Sequence, residues 1–295
     1  MKPQFKIAGL GETLWDLFPD RKRLGGAPTN FACHCQQLGA AASLISCLGE
    51  DELGREARTE LAALGLDLAA LAEHPQAPTG TVGVALDEGG KPSYQIAEAV
   101  AWDEIPFSPA AEALASELAA VCFGSLSQRH PVSRQTTGKV LAAMPEEALK
   151  ILDVNLRAPH YSQEIITPLL EQANVLKLSD EELPVLADYY GLSGDLGGQL
   201  QALRERFALQ LVAYTRGAEG SILQTAEEED HAAAVPTTPV DSVGAGDSFT
   251  AALCMSLLHG RSLAECNQFA NQVAAYVCSQ QGACPALPAR LRPFS

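Results

Sequence analysis

Val240-Asp241-Ser242-Val243-Gly244-Ala245-Gly246-Asp247-Ser248-Phe249-Thr250 sets two carboxylates, Asp241 and Asp247, on either side of a glycine turn. The apolar positions Phe249, Ala252, Leu253 and Leu257 then recur at the spacing of one helix face, and Gly260 stops the run. A glycine turn feeding a helix presents N–H groups without intrahelical partners and the positive end of the helix dipole, which suits a phosphate. An aspartate in the first turn of that helix lies beside the same anion site. There it can accept the proton of a hydroxyl attacking the phosphate. The chemistry indicated is phosphoryl transfer to an alcohol, with a plain helix cap as the bland alternative.

Outward from this helix, strand and helix patterns alternate. Residues 5–9 form a short apolar run that ends at Gly9-Leu10-Gly11, a buried strand followed by a turn. Strands are expected over 43–49, 121–125, 151–155, 175–178 and 211–215, and helices over 31–38, 110–118, 163–173 and 196–206. This order predicts a mostly parallel sheet covered by helices on both faces. Two stretches break it. Residues 12–24 separate the first strand from the first long helix. Residues 79–103 alternate polar with apolar around Glu88-Gly89-Gly90 and read as antiparallel hairpins. Together they could make a small separate sheet. Glu227–Asp230 reads as a solvated turn.

Bulk properties narrow the function classes. A length of 295 residues allows two domains, or one large α/β domain with a small appendage, and 47% hydrophobic residues suffice for a sizeable core. A formal charge of -16 opposes a nucleic-acid or anionic-membrane surface, because phosphates recruit Lys and Arg. No run approaches the roughly 20 apolar residues needed to span a bilayer, and the first residues lack a signal-peptide core. With eight scattered cysteines, the expectation is a cytoplasmic protein with reduced thiols. Cys33-His34-Cys35 is too tightly spaced for a structural zinc pair and has no matching second pair, so it reads as half-buried helix. A dinucleotide fingerprint would need glycine at position 14, where Leu14 stands.

Asp241-Ser242-Val243-Gly244-Ala245-Gly246-Asp247 matches the D-[ST]-x-G-A-G-D signature of the ribokinase-like (PfkB) carbohydrate kinases, and the chain resembles that family over nearly its whole length. The resemblance implies a single ribokinase-like domain over 1–295, with a β-sheet lid formed by about 12–24 and 79–103 that closes over a sugar and often makes a dimer contact. It implies ATP as co-substrate, Mg2+ at the phosphates, and in many members a monovalent cation such as K+. Asp247 would be the base, and backbone N–H groups of Gly244, Ala245, Gly246 and Asp247 would hold the transferring phosphoryl. Asp241 is the position matching the cation ligand.

Other motifs follow in the family's order. Gly25-Gly26-Ala27-Pro28-Thr29-Asn30 resembles the G-G-A-P-x-N of fructokinases. Paired glycines let a ligand approach the backbone, and Asn30 offers a donor and an acceptor to a sugar hydroxyl, or simply caps a helix. Asp16, in Gly11-Glu12-Thr13-Leu14-Trp15-Asp16, resembles an acid that accepts from two adjacent sugar hydroxyls; Glu12 is set aside as structural. Asp153-Val154-Asn155-Leu156-Arg157 resembles D-x-N-x-R, and places Asn155 and Arg157 beyond a strand end, where open α/β sheets bind ligands.

Lys177-Leu178-Ser179-Asp180-Glu181-Glu182 resembles N-x-x-E, with Ser179 in place of asparagine and Glu182 aligned to order magnesium waters. Thr215, Gly217 and Gly220 resemble a T-x-G-x-x-G nucleotide strand end, and Asn271 lies on a helix that lines the adenine pocket in the family. Fructose is the favoured acceptor. An acid such as 2-keto-3-deoxygluconate is the runner-up and would need a cation, Arg129 or Arg157. A catalytically silent sugar or nucleotide sensor and a dehydrogenase are readings from other classes.

Overall fold

The computed structural model describes residues 4–86 and 92–294. The Glu88-Gly89-Gly90 turn lies outside them. The chain opens with β1 (Lys6–Leu10), then β2 (Leu14–Leu17), β3 (Lys22–Gly25), α1 (Ala27–Gln37), β4 (Ala41–Gly49), α2 (Glu52–Ala63) and β5 (Leu71–His74). Next come β6 (Gly80–Leu86), β7 (Pro92–Ile96), α3 (Pro109–Ala115), β8 (Ala120–Gly124), α4 (Pro131–Ala143), β9 (Leu149–Asp153) and α5 (Gln163–Leu170). The last third holds β10 (Val175–Ser179), α6 (Leu183–Tyr190), α7 (Leu196–Arg206), β11 (Leu211–Thr215), β12 (Ser221–Gln224), β13 (Glu229–Ala232), α8 (Ala245–Leu258) and α9 (Leu263–Cys278).

The large sheet runs β13-β12-β11-β10-β9-β8-β1-β4-β5, parallel throughout except for the two antiparallel strands at the β13 edge. Both faces are covered. Successive residues of one strand enter different cores: Val175 packs with α1, α8 and α9, whereas Leu176 packs with the helices of the opposite layer. This is why the strands read as continuous apolar runs. Strand order reverses between β1 and β8, so the crevice beyond their C-terminal ends is the expected ligand position.

The small sheet, β3-β2-β6-β7, is built from the two stretches that broke the alternation. β2 pairs antiparallel with β3 and parallel with β6. Three expectations need correction. Helix α1 begins at Ala27 rather than at 31, because Pro28 fits the first turn. Asn30 is therefore interior and is not a cap. Cys33-His34-Cys35 is not half-buried: no residue of the three exceeds 2% exposure, since this stretch of α1 lies between the sheet and α8. Glu229 and Asp230 belong to β13, and the turn before them closes between Thr225 and Glu228. Among the described residues no helix is long and apolar enough to cross a membrane.

Candidate active site

Helix α8 starts where the backbone must turn back. Gly244 caps it with φ +78°, and a Cβ there would lie 2.4 Å from the Ala283 carbonyl oxygen, so both conformation and space demand glycine. Ser248 N–H already bonds the Gly244 carbonyl at 2.9 Å, and Ala245 N–H turns to Ser242 at 3.3 Å. Gly246 and Asp247, in the first turn, have no intrahelical acceptor for their N–H groups. The cradle is therefore centred on these two, with Ala245 less available than the motif implied.

Asp247 Oδ2 accepts a 2.7 Å hydrogen bond from Asn30 Nδ2, joining the N-terminal turns of α8 and α1. The carboxyl sits deep in the protein while the residue keeps some open surface. Burial, reinforced by the Asp153 charge, raises its pKa to about 6, against the lowering effects of Asn30, Lys177 and Arg157. Below neutrality it approaches the range in which a base can both accept and release a proton.

Glu12, set aside in the sequence, stands at the start of α1. No side chain of the Gly26 cap serves that helix end; the Glu12 carboxyl lies near enough for the Ala27 N–H to lower its pKa. Gly26 has φ +105°, and a Cβ would fall 2.3 Å from the Glu12 carbonyl oxygen. Glu12 is 2% exposed and its Oε2 has no protein partner. Burial first, then the Asp247 charge, pushes its pKa up to about 7. The available sequence signal was an acid directly after the turn that ends the switch-point strand.

The small sheet supplies Asp16, whose carboxylate lies over Gly25, and Arg23 directly opposite it. Burial raises the Asp16 pKa to about 6 although Arg23 pulls it down. Arg23 Nη1 donates to Asp241 Oδ2 at 2.7 Å, tying the small sheet to the loop before α8. Asp241 also accepts from Gly282 N–H at 3.0 Å and Val243 N–H at 3.1 Å. Its charge is thus met by a guanidinium and two amides. This donor set does not fit a monovalent cation at that carboxylate while Arg23 holds it.

The strand ends bring the remaining candidates to the same edge. Asn155 follows β9 with φ +42°, and Arg157 is exposed beyond it, close enough to lower the pKa values of Glu12, Asp16 and Asp247. Glu182 accepts from Leu156 N–H at 2.9 Å and Ser179 N–H at 2.8 Å, clasping the ends of β9 and β10. An ionised carboxylate has about four acceptor positions, so two remain for magnesium waters, and the residue fits an outer-sphere role. Ser179 contributes its backbone to that clasp.

Thr215 ends β11, with its hydroxyl 3.4 Å from the Leu178 carbonyl oxygen. Gly217 and Gly220 bracket the following turn with φ +50° and +90°. Asn271 is less available: its amide donates to Ser221 Oγ at 2.6 Å and to the Asn267 carbonyl at 2.9 Å. Arg129 is consumed elsewhere. It forks onto Asp103 at 2.7 and 2.8 Å and lies 4.1 Å over the Trp102 ring, which removes it as a cation for an acidic substrate. A cavity of about 300 Å³ adjoins the site and is lined by Arg23, Asn30, Cys33 and Gly282, without reaching Asp247.

A model described as the pfkB family carbohydrate kinase matches residues 12–290. A sugar kinase of Pyrococcus horikoshii is 31% identical, covering 94% of this chain and 91% of that protein. The crystal structure of the uncharacterized sugar kinase from that organism has a TM-score of 0.82, with coverage of 95% and 93%. The fructokinase of Klebsiella pneumoniae is 31% identical over 96% of each chain. A double mutant of the fructokinase of Vibrio cholerae, solved with fructose, ADP and a potassium ion, is 26% identical with a TM-score of 0.81, covering 99% of this chain and 98% of that one.

Proposed function

The chain belongs to the pfkB family of carbohydrate kinases, and on that premise we propose that it transfers the γ-phosphoryl of ATP to a primary hydroxyl of a sugar, fructose first. The observation that carries the reading is Asp247 in the first turn of α8, its carboxyl held by Asn30 at 2.7 Å. A sugar hydroxyl placed between Asp16, Asn30 and Asp247 would give its proton to Asp247 as its oxygen attacks. The Gly246 and Asp247 N–H groups, aided by Gly244, would stabilise charge on the transferring phosphoryl. Phosphoryl transfer asks mainly for such positioning and electrostatics.

Arg157 is the remaining cation for the outer phosphates or a substrate oxygen. Magnesium, when bound through waters at Glu182, would neutralise phosphate charge. Thr215, Gly217, Gly220 and the helix bearing Asn271 would frame the nucleotide. The small sheet would act as a lid, with Arg23 to Asp241 as one of its contacts to the core, and closure would exclude water. Fructose is favoured over 2-keto-3-deoxygluconate by the Gly25-Gly26-Ala27-Pro28 form; with Arg129 paired to Asp103, Arg157 is the one of the two candidate cations left for an acid. Association of two copies through the small sheet belongs to the same reading and would double the mass in sedimentation.

The test is ADP release from MgATP with fructose, 2-keto-3-deoxygluconate, ribose and adenosine, beside Asp247→Asn. Fructose-selective release lost in the variant supports the reading. Release with another acceptor moves the substrate. Bound ATP with no release from any acceptor would favour a sensor.

A further inference from the structure

Two charged side chains that the proposed chemistry leaves unused lie directly beneath the phosphate cradle. Lys177 on β10 is the register partner of Asp153 on β9, and the two strands run parallel. Residue parity sends both to the α8 face of the sheet, because Val175 and Ile151, two positions earlier on each strand, pack in the core that contains α8. Lys177 Nζ donates to Asp153 Oδ1 at 3.0 Å, and both side chains are below 10% exposed. Burial alone would lower the lysine pKa, but Asp153 and then Glu182 outweigh it and hold the ammonium charged, above its usual range.

The pair is oriented. Asp153 Oδ2 faces Thr250 Oγ1 at 3.3 Å, one helical turn inside α8, and that hydroxyl also bonds the Gly246 carbonyl. The ammonium lies at Gly246 itself: a Cβ on that residue would come within 3.2 Å of Lys177 Nζ. The positive end of the pair therefore abuts the first turn of α8, where Gly246 and Asp247 N–H groups lack intrahelical acceptors, and the negative end meets Thr250 one turn further in. Around it stand carboxylates: Asp247 and Thr250's partner Asp153 on this floor, Glu182 at the adjoining strand end, and Glu12 and Asp16 above. A phosphoryl group entering such surroundings meets repulsion, which a fixed cation under the cradle offsets beside what magnesium and Arg157 would contribute. Arg157 is exposed and Arg23 is paired with Asp241. Lys177 is the buried cation at the cradle among the described residues.

We infer that Lys177 is a positioning residue of the transfer step: its ammonium, aimed by Asp153, braces Gly246 and supplies the positive charge that makes the cradle attractive to the transferring phosphoryl. This inference rests on the kinase reading given above. It assigns Lys177 no direct contact with the substrate. Its effect belongs in the transition state, where phosphoryl charge sits in the cradle, more than in sugar or nucleotide binding.

Removing the lysine alone would strand a buried carboxylate and could prevent folding, so the deciding protein is the double variant Lys177→Met with Asp153→Leu. Replacing a buried ion pair by apolar groups is often neutral for stability. Thr250 keeps the Gly246 carbonyl as its partner. Measured with the sugar that the wild-type enzyme phosphorylates, kcat should fall about 30-fold, roughly a tenth of the loss from deleting a direct oxyanion donor. KM for sugar and MgATP should change less than threefold. Affinity for the complex of MgADP, aluminium fluoride and sugar should fall in parallel with kcat, while MgADP alone binds as before. Lys177→Arg should retain more activity than the double variant.

A folded double variant with wild-type kcat would overturn the inference. So would a loss confined to KM, or an unchanged affinity for the aluminium fluoride complex. A wild-type protein inactive on every sugar would instead sink the kinase reading itself.

Discussion

Replacing Asp247 with asparagine should nearly abolish turnover and, at the same time, stabilise the fold. The carboxyl is moved by burial from 3.8 to about 6. A raised carboxylate contributes stability below the ordinary range and loses it as pH climbs through the folded value. At pH 8 the wild-type protein therefore carries an ionised group whose folded state is disfavoured by about two pH units, a penalty of at most about 3 kcal/mol at 1.36 kcal/mol per unit. Part of the residue is open to solvent, so this is an upper bound. An amide has no such penalty and still offers an oxygen to Asn30 Nδ2. At pH 5 the wild-type group is largely protonated when folded, and the advantage shrinks to about 1.5 kcal/mol. Urea unfolding at both pH values reads the difference directly. ADP release should fall by ~10²–10⁴. A variant less stable than wild type at pH 8, or a gain identical at pH 5 and pH 8, would refute the claim that burial of this charge is what tunes the base.

Further outcomes follow from the same geometry. The acid limb of kcat/KM should lie near pH 6, where Asp247 titrates, and Asn30→Ala should move it upward by about one to two units, since a hydrogen bond to a charged group contributes ~1.5–3 kcal/mol; a limb that stays put would remove Asn30 from the account. Arg23→Ala breaks the Asp241 pair between partly exposed side chains, so stability should drop by under about 1 kcal/mol. The sugar KM should nevertheless rise several-fold and sugar-independent ATP hydrolysis should grow; unchanged values for both would show that Arg23 does not hold the small sheet closed. Gly26→Ala should cost roughly 2 kcal/mol or more in thermal unfolding, because φ is +105° and the new Cβ would meet the Glu12 carbonyl; a variant as stable as wild type would show that α1 can shift.

The alternation of strands with helices, the burial of the strands on both faces and the helix entered at Gly244 were written locally, in apolar runs and a glycine turn. The separate small sheet was written there in part: residues 79–103 switch to period-two alternation, whereas 12–24 stood out only as a stretch between the first strand and the first long helix. Asp247 was legible for the same reason: its place in the first helical turn depends only on neighbours in sequence. Glu12 and Lys177 were not. Each sits in a motif as an ordinary charged residue, and nothing in the local pattern tells a solvated acid from one with an unpartnered buried oxygen. Arg129 misled in the opposite direction, since its availability depended on Asp103 and the Trp102 ring.

By itself, then, the sequence determined where strands and helices alternate and which groups could carry charge and protons. Only the tertiary structure decided which charges meet. Asn30 reaches Asp247 across 217 positions, Arg23 reaches Asp241 across 218, and Lys177 comes to lie under Gly246. Periodicity fixes the face of an element, but not the element packed against that face. The proton affinity of a carboxyl or an amine is set by what that packing removes from water and by the charge it leaves alongside.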